Sequence, residues 1–283
     1  FVAPTATPVL PQIIRGSPVP IKIAAQSSLK EEENEDPTPS PTPYPTNTPE
    51  PIKLTEQLIE NVSNATTDEA LDVIEKENAE NVAIVMEKVT ISQAAEIVQE
   101  IDSSRAADIV ERVESEKAAE IVEVVDSLKA AEIVEKVISE KAADIVQAIE
   151  SNKAADIVSK VDTKKAAEIV DHVETVKAAE IMEKLSDEKA ADIVEKVQIS
   201  KAAAIVENVL ASKAAEIVEK VETVRAAGIV SEVDSTKAAA IVEQVESTKA
   251  AEIVEKVESS KAAEIVSGVQ STKAAEIVEK VES

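Results

Sequence analysis

Cysteine and tryptophan are absent from this chain, Phe1 and Tyr44 are its only aromatic residues, and it has three glycines among 283 residues. Without Cys there is neither a disulfide nor a thiolate metal site. Without large rings the apolar share falls to Ala, Ile and Val, which suit a thin core between closely spaced elements. Proline is absent beyond Pro51, although twelve precede or occupy that position. Positive charge is also short: 30 Lys and Arg stand against 56 Asp and Glu, a net charge of -26. Such a surface repels nucleic acid, whose phosphates need basic partners. It disfavours anionic membranes and favours solubility. No apolar run approaches the roughly 20 residues of a membrane helix, so neither nucleic acid nor membrane insertion is expected. The start at Phe1, without a basic-then-apolar leader, suggests a processed form or a fragment.

What remains is a repeat. From Arg105 to Lys273 a basic residue stands at every twelfth position, fifteen times, and nearly the same word follows it. The last copy runs from Lys273 through Ala274, Ala275, Glu276, Ile277 and Val278 to Ser283. Looser copies begin at Glu69, Asn81 and Gln93. A period this strict points to a repeating scaffold rather than one chemical centre.

Counted from the basic residue, positions 2, 5, 6 and 9 are Ala, Ile, Val and Val. Their spacing of i, i+3, i+4, i+7 is one face of an α-helix. Ile holds position 5 in all fifteen regular units, and only Met182 interrupts Val at position 6. Position 11 is mostly Ser, Thr or Asp, as at Ser103, Ser115, Thr163 and Asp187. These residue types cap helix N-termini, so position 11 is expected to be the cap. Where it is Ile199 or Ala211, the next residue is Ser200 or Ser212, and the cap is expected to move by one.

A continuous helix is disfavoured, because twelve residues rotate its apolar face by about 120° per unit and no single seam forms. A β-solenoid is disfavoured by the lack of alternation in Ala-Ala-Glu. A single unit cannot offset its own ordering entropy, so units must stack. The expected fold is all-α, an α-solenoid superhelix of 12-residue one-helix repeats joined by two-residue turns, preceded by an extended Pro-rich N-terminal arm.

Units such as Lys189-Ala190-Ala191-Asp192-Ile193-Val194-Glu195-Lys196-Val197 resemble the short helical repeats in the cytoplasmic domain of MgtE-type magnesium transporters. They are similar as well to those of FliG-type flagellar motor switch proteins. The resemblance spans about residues 68–283, rests on one Ala-Ala-x-Ile-Val-x-x-Val word, and implies a right-handed superhelix of short helices. It implies architecture only, and no metal-binding residue carries over.

Four segments are expected: an aliphatic, Pro-containing extended arm at 1–28, a charged and Pro/Thr-rich linker at 29–51, a capping segment at 52–68, and about eighteen repeats over 69–283. Val19, Ile21 and Ile23 alternate as an edge strand would and form a candidate subunit-docking arm. The Pro/Thr run at 37–46 reads as an extended strut or surface stalk. Asn61 and Asn64 each match the N-glycosylation pattern. Together these features favour an extracellular or cell-surface location.

Chemistry would require residues that break the repeat together. His172, the sole histidine, replaces a frequent Lys at position 8 and has no sequence partner for acid–base work. Acids recur at positions 4, 7 and 10. Divalent cations could bridge such columns, but a solvated face balanced by Lys is the simpler reading. No catalytic residue, cofactor or metal site is assigned and no enzyme is expected. Ala274, Ile277, Val278 and Val281 mark an end unit expected to be exposed. The leading expectation is a structural protein, a homopolymeric cell-surface filament of end-to-end solenoids with docked N-terminal arms. A non-polymeric spacer or binding module of a surface adhesin, contacting a peptide or glycan, is the alternative.

Overall fold

The computed structural model describes residues 51–281. The arm at Val19, Ile21 and Ile23 and the Pro/Thr segment lie outside the described residues. The described residues hold nineteen helices and no strand. They are α1 (Pro51–Ser63), α2 (Thr67–Ile74), α3 (Ala79–Lys88), α4 (Ile91–Glu100), α5 (Ser103–Val110), α6 (Ser115–Val124), α7 (Ser127–Lys136), α8 (Ser139–Ala148), α9 (Ser151–Lys160) and α10 (Thr163–His172). Then follow α11 (Thr175–Lys184), α12 (Asp187–Val194), α13 (Ile199–Asn208), α14 (Ala211–Lys220), α15 (Thr223–Glu232), α16 (Ser235–Gln244), α17 (Ser247–Lys256), α18 (Ser259–Gly268) and α19 (Ser271–Val281).

Each regular unit is therefore one short helix and one turn, and the array is an α-solenoid. The turn explains the scarcity of glycine. Between α6 and α7, Val125 has φ -59 and ψ 147, and Asp126 has φ -60 and ψ 153. Both are extended conformations open to any L residue. The chain reverses without a left-handed residue, so a glycine C-cap is not needed.

The core follows the apolar word. In α7, Ala130, Ile133 and Val134 are fully buried, and Ala131 and the turn residue Val137 nearly so. Position 3 thus joins positions 2, 5, 6 and 9. The two alanines leave room for close backbone approach. Stacking has an order that the period does not reveal: each helix packs chiefly on the helix two places along, α4 on α6, α5 on α7, through to α17 on α19. Odd and even helices form two interleaved columns. Leu58 and Val62 of α1 are buried, and α1 packs on α2 and α3.

The position of the caps corrects the sequence reading. The N-cap is position 10, not position 11: Asp102, Asp126, Asp162 and Asp234 precede helices that start at Ser103, Ser127, Thr163 and Ser235. Each of these aspartates accepts hydrogen bonds from amides of the first turn. The cap does not slide at Ile199 or Ala211. α13 and α14 begin at those residues, after Gln198 and Leu210, in unbroken register.

Candidate functional site

Three polar positions, 1, 7 and 11, bond between helices. All fifteen basic residues at position 1 donate to a backbone carbonyl 28 residues earlier, in the turn two places back. Lys117 meets the carbonyl of Val89 at 3.1 Å and Lys189 that of Val161 at 2.6 Å. These carbonyls end helices, where the backbone leaves acceptors unused and the helix dipole attracts a cation. Arg225 does more than its lysine counterparts, bonding the carbonyls of both Val194 and Val197.

Position 7 does the complementary task. Its Glu, Gln or Asp accepts the backbone N–H of an N-cap residue 27 residues later. Ile138 donates to Glu111 at 3.0 Å and Glu174 to Gln147 at 2.9 Å. A capping box normally supplies this bond from within the same helix, as Glu69 does for Thr66. Here the preceding layer supplies it. Apolar or uncapped residues such as Ile138 and Leu210 are thereby tolerated at the N-cap.

Position 11, read as the cap, bonds elsewhere. Its hydroxyl donates to the position-4 acid 29 residues later at Thr67, Ser103, Ser115, Ser139, Ser151, Thr223, Ser235 and Ser247. Ser115 reaches Asp144 at 2.9 Å and Ser139 reaches Glu168 at 2.7 Å. Within the fifteen regular units two lack a hydroxyl or acid at position 11, whereas in the looser copies Ala79 and Ile91 stand opposite the acids Asp108 and Glu120. In the same register Ile199 faces Gly228 and Ala211 faces Ala240, where the usual acid is missing. A Cβ added to Gly228 would lie 3.5 Å from Ile199 Cδ1. The isoleucine covers the space that the absent side chain leaves.

The acid rows therefore have structural occupations. Their carboxyls titrate accordingly. Amide donors hold Asp102, Asp126 and Asp234 below the ordinary aspartate value, led by the backbone N–H of Ser104, Lys129 and Thr236 respectively. The hydroxyl of Ser139 does the same for Glu168. Burial pushes Lys141 and Lys201 down. One ion pair is well covered: Lys213 Nζ stands 2.7 Å from Asp187, whose pKa the lysine's hydrogen bond lowers.

His172 is exposed. Its Nδ1 lies 2.8 Å from the Glu168 carbonyl and its Nε2 3.9 Å from Glu140. Met182 fills a fully buried core position. Among the described residues, no group of three or more His, Asp or Glu is arranged to hold a metal ion, and no helix is long and apolar enough to cross a membrane. Open grooves run between stacked helices. One of about 530 Å³ is lined by Glu80, Ala83, Ile84, Glu87, Arg112 and Glu114.

Asn61 is exposed in the last turn of α1. Asn64, also exposed, donates from Nδ2 to the Glu60 carbonyl at 3.0 Å, while Thr66 of its pattern is held in the capping box of α2. In the end unit, Val278 and Val281 are exposed and Ala274 is half-buried, but Ile277 is fully buried against the stack. The expected exposure of Ile277 is corrected: as position 5 it points to α17, on which α19 packs.

A solenoid of single-helix units with interlayer caps is the class that this geometry defines. The family model for the MgtE intracellular N domain matches residues 139–224 and 209–283, together just over half of the chain. The chain belongs to that family. No curated protein and no solved structure matches it.

Proposed function

We propose that the chain is a non-catalytic structural solenoid, a spacer that holds what is attached to it at a fixed separation. The observation that carries this reading is the repetition of one interlayer bond, from the position-1 cation to a turn carbonyl, in all fifteen regular units. A binding or catalytic centre would interrupt that pattern with a cluster of departures serving a ligand. Here the departures, such as Ile199 with Gly228, serve one another.

The test is electron microscopy with light scattering of the full chain at rising concentration. Discrete monomers of one length support the spacer. Growth into fibres would replace it with the filament reading, in which the chain is its own partner. The cell-surface location expected from the Pro/Thr stalk and the two asparagine patterns stands beside the family's description as an intracellular domain. Glycan mapping on Asn61, which is exposed and carries no bond like that of Asn64 to Glu60, separates the two.

A further inference from the structure

The open grooves between stacked helices are built alike. Three of them are lined by positions 12, 3, 4 and 7 of one helix, and by positions 8 and 10 at the end of the helix two along. Ser104, Ala107, Asp108, Glu111, Lys136 and Ile138 make one such set. α11 packs on α13 in the same register, where these positions are Val176, Ala179, Glu180, Glu183, Asn208 and Leu210. Positions 12 and 10 form the rims. Among the described residues, this is the one register in which both are apolar. Val176 is 62% exposed and Leu210 68%. Unlike Ile199 over Gly228, neither fills a space in the array.

Position 8 differs as well. It supplies Arg112 or Lys136 to other grooves. Here it is Asn208, whose Nδ2 donates to the Ala204 carbonyl of its own helix at 2.7 Å. Glu180 and Glu183 therefore meet no cation from position 8 of α13. The scaffold bonds run on without interruption. Glu183 accepts the Leu210 N–H and Glu180 the Ser151 hydroxyl, while Lys177 and Lys201 reach the carbonyls of Ile149 and Val173. The changes are confined to the surface of the groove.

We propose that the groove between α11 and α13 docks a segment of another protein that presents Lys or Arg beside an aliphatic residue. The aliphatic side chain and the stem of the basic one lie on Val176, Ala179 and Leu210, and the cationic head reaches Glu180 and Glu183. Charge selects this occupant. Glu174, exposed at the N-cap of α11, adds a further carboxylate near Val176, and the whole chain carries -26. Such a field draws in a basic segment and repels a second copy of the chain. The spacer reading gains a point of attachment here, and the groove does not depend on it.

The experiment is fluorescence anisotropy of a labelled synthetic peptide, Gly-Lys-Leu-Lys-Leu-Lys-Gly, titrated with the full chain at low and raised salt. Two companions divide the sources of affinity. Gly-Lys-Ser-Lys-Ser-Lys-Gly keeps the charge, and Gly-Glu-Leu-Glu-Leu-Glu-Gly keeps the leucines. The first peptide is expected to bind about tenfold more tightly than either companion and to weaken as salt rises. Val176→Ser with Leu210→Ser is expected to keep its helicity, since both residues are exposed, and to lower the affinity about tenfold. Leu128→Ser with Ile138→Ser removes exposed apolar residues from two other grooves and is expected to leave it unchanged. Glu183→Gln keeps an acceptor for the Leu210 N–H and is expected to weaken binding severalfold. Absence of binding, equal binding of either companion, or equal affinity of the two double variants overturns the proposal. So does light scattering in which a dimer falls to monomer on replacement of Val176 and Leu210, because the occupant is then a second copy. Discrete monomers that ignore the peptide count against the groove and leave the spacer reading standing.

Discussion

Lys213 donates from Nζ to the carbonyl of Leu185 at 2.6 Å while its ammonium stands 2.7 Å from the Asp187 carboxylate. It is the one charged residue buried among the described residues. Lys213→Met removes both bonds and leaves the carboxylate and carbonyl uncompensated. The expected loss is about 1–3 kcal/mol, read by hydrogen exchange of α12 and α14. Lys164→Met, at an exposed ion pair of 3.8 Å with Glu168, is expected to stay within about 0.5 kcal/mol of native.

The interlayer cap makes a finer prediction. Gln99 and Gln147 already accept the N-cap amides of Asp126 and Glu174, so the task needs an acceptor and not a charge. Glu111→Gln is expected to preserve protection of the Ile138 amide, whereas Glu111→Ala exposes it to exchange. Equal exchange in the two variants would disprove the role assigned to position 7.

The caps within helices predict a contrast of their own. Asp126 Oδ1 accepts from the amides of Leu128 and Lys129, both at 3.0 Å. Asp126→Ala is expected to cost about 1 kcal/mol. Glu150 makes no side-chain cap bond, and Glu150→Ala is expected to leave thermal unfolding unchanged.

Acid is expected to loosen the array. Asp102, Asp126, Asp187 and Asp234 all have folded pKa values below the ordinary 3.8. Their contribution is fully present above the unfolded value and is lost as pH falls through the folded ones. The thermal midpoint should be nearly level from neutral pH to about 5 and fall at lower pH. Asp126→Asn is expected to flatten part of that fall, measured by circular dichroism melts across the acid range.

The two helical glycines should respond differently to alanine. A Cβ at Gly228 meets Ile199 at ordinary contact distance, so Gly228→Ala is expected to stabilise α15 by about 1 kcal/mol through helix propensity. At Gly268 the new atom would lie 2.7 Å from Ala239 Cβ. Gly268→Ala is therefore expected to force α18 from α16 and to lower the midpoint.

Helix length, turn length and the apolar face were legible because each depends on residues within one unit. Ile133 and Val134 announce their burial by spacing alone. Ala131 did not, since a second alanine beside the first adds no period. The layer order was hidden for a physical reason: helices one and two places along carry almost the same word, so composition cannot tell neighbour from next neighbour. Position 11 was misassigned because Ser103 and its equivalents have the chemistry of a cap and stand one residue from it. Their bonds end in another helix, 29 residues on, and nothing within one unit announces that partner.

Stacking on the second helix along makes the array count in pairs. Removal of a single twelve-residue unit would transfer every helix beyond it from one column to the other, and whatever is attached there would emerge on the opposite edge. Removal of two units would shorten the protein and leave its sides as they were. Gain and loss of length are therefore separable from change of facing, and the smallest step that preserves facing is a whole layer.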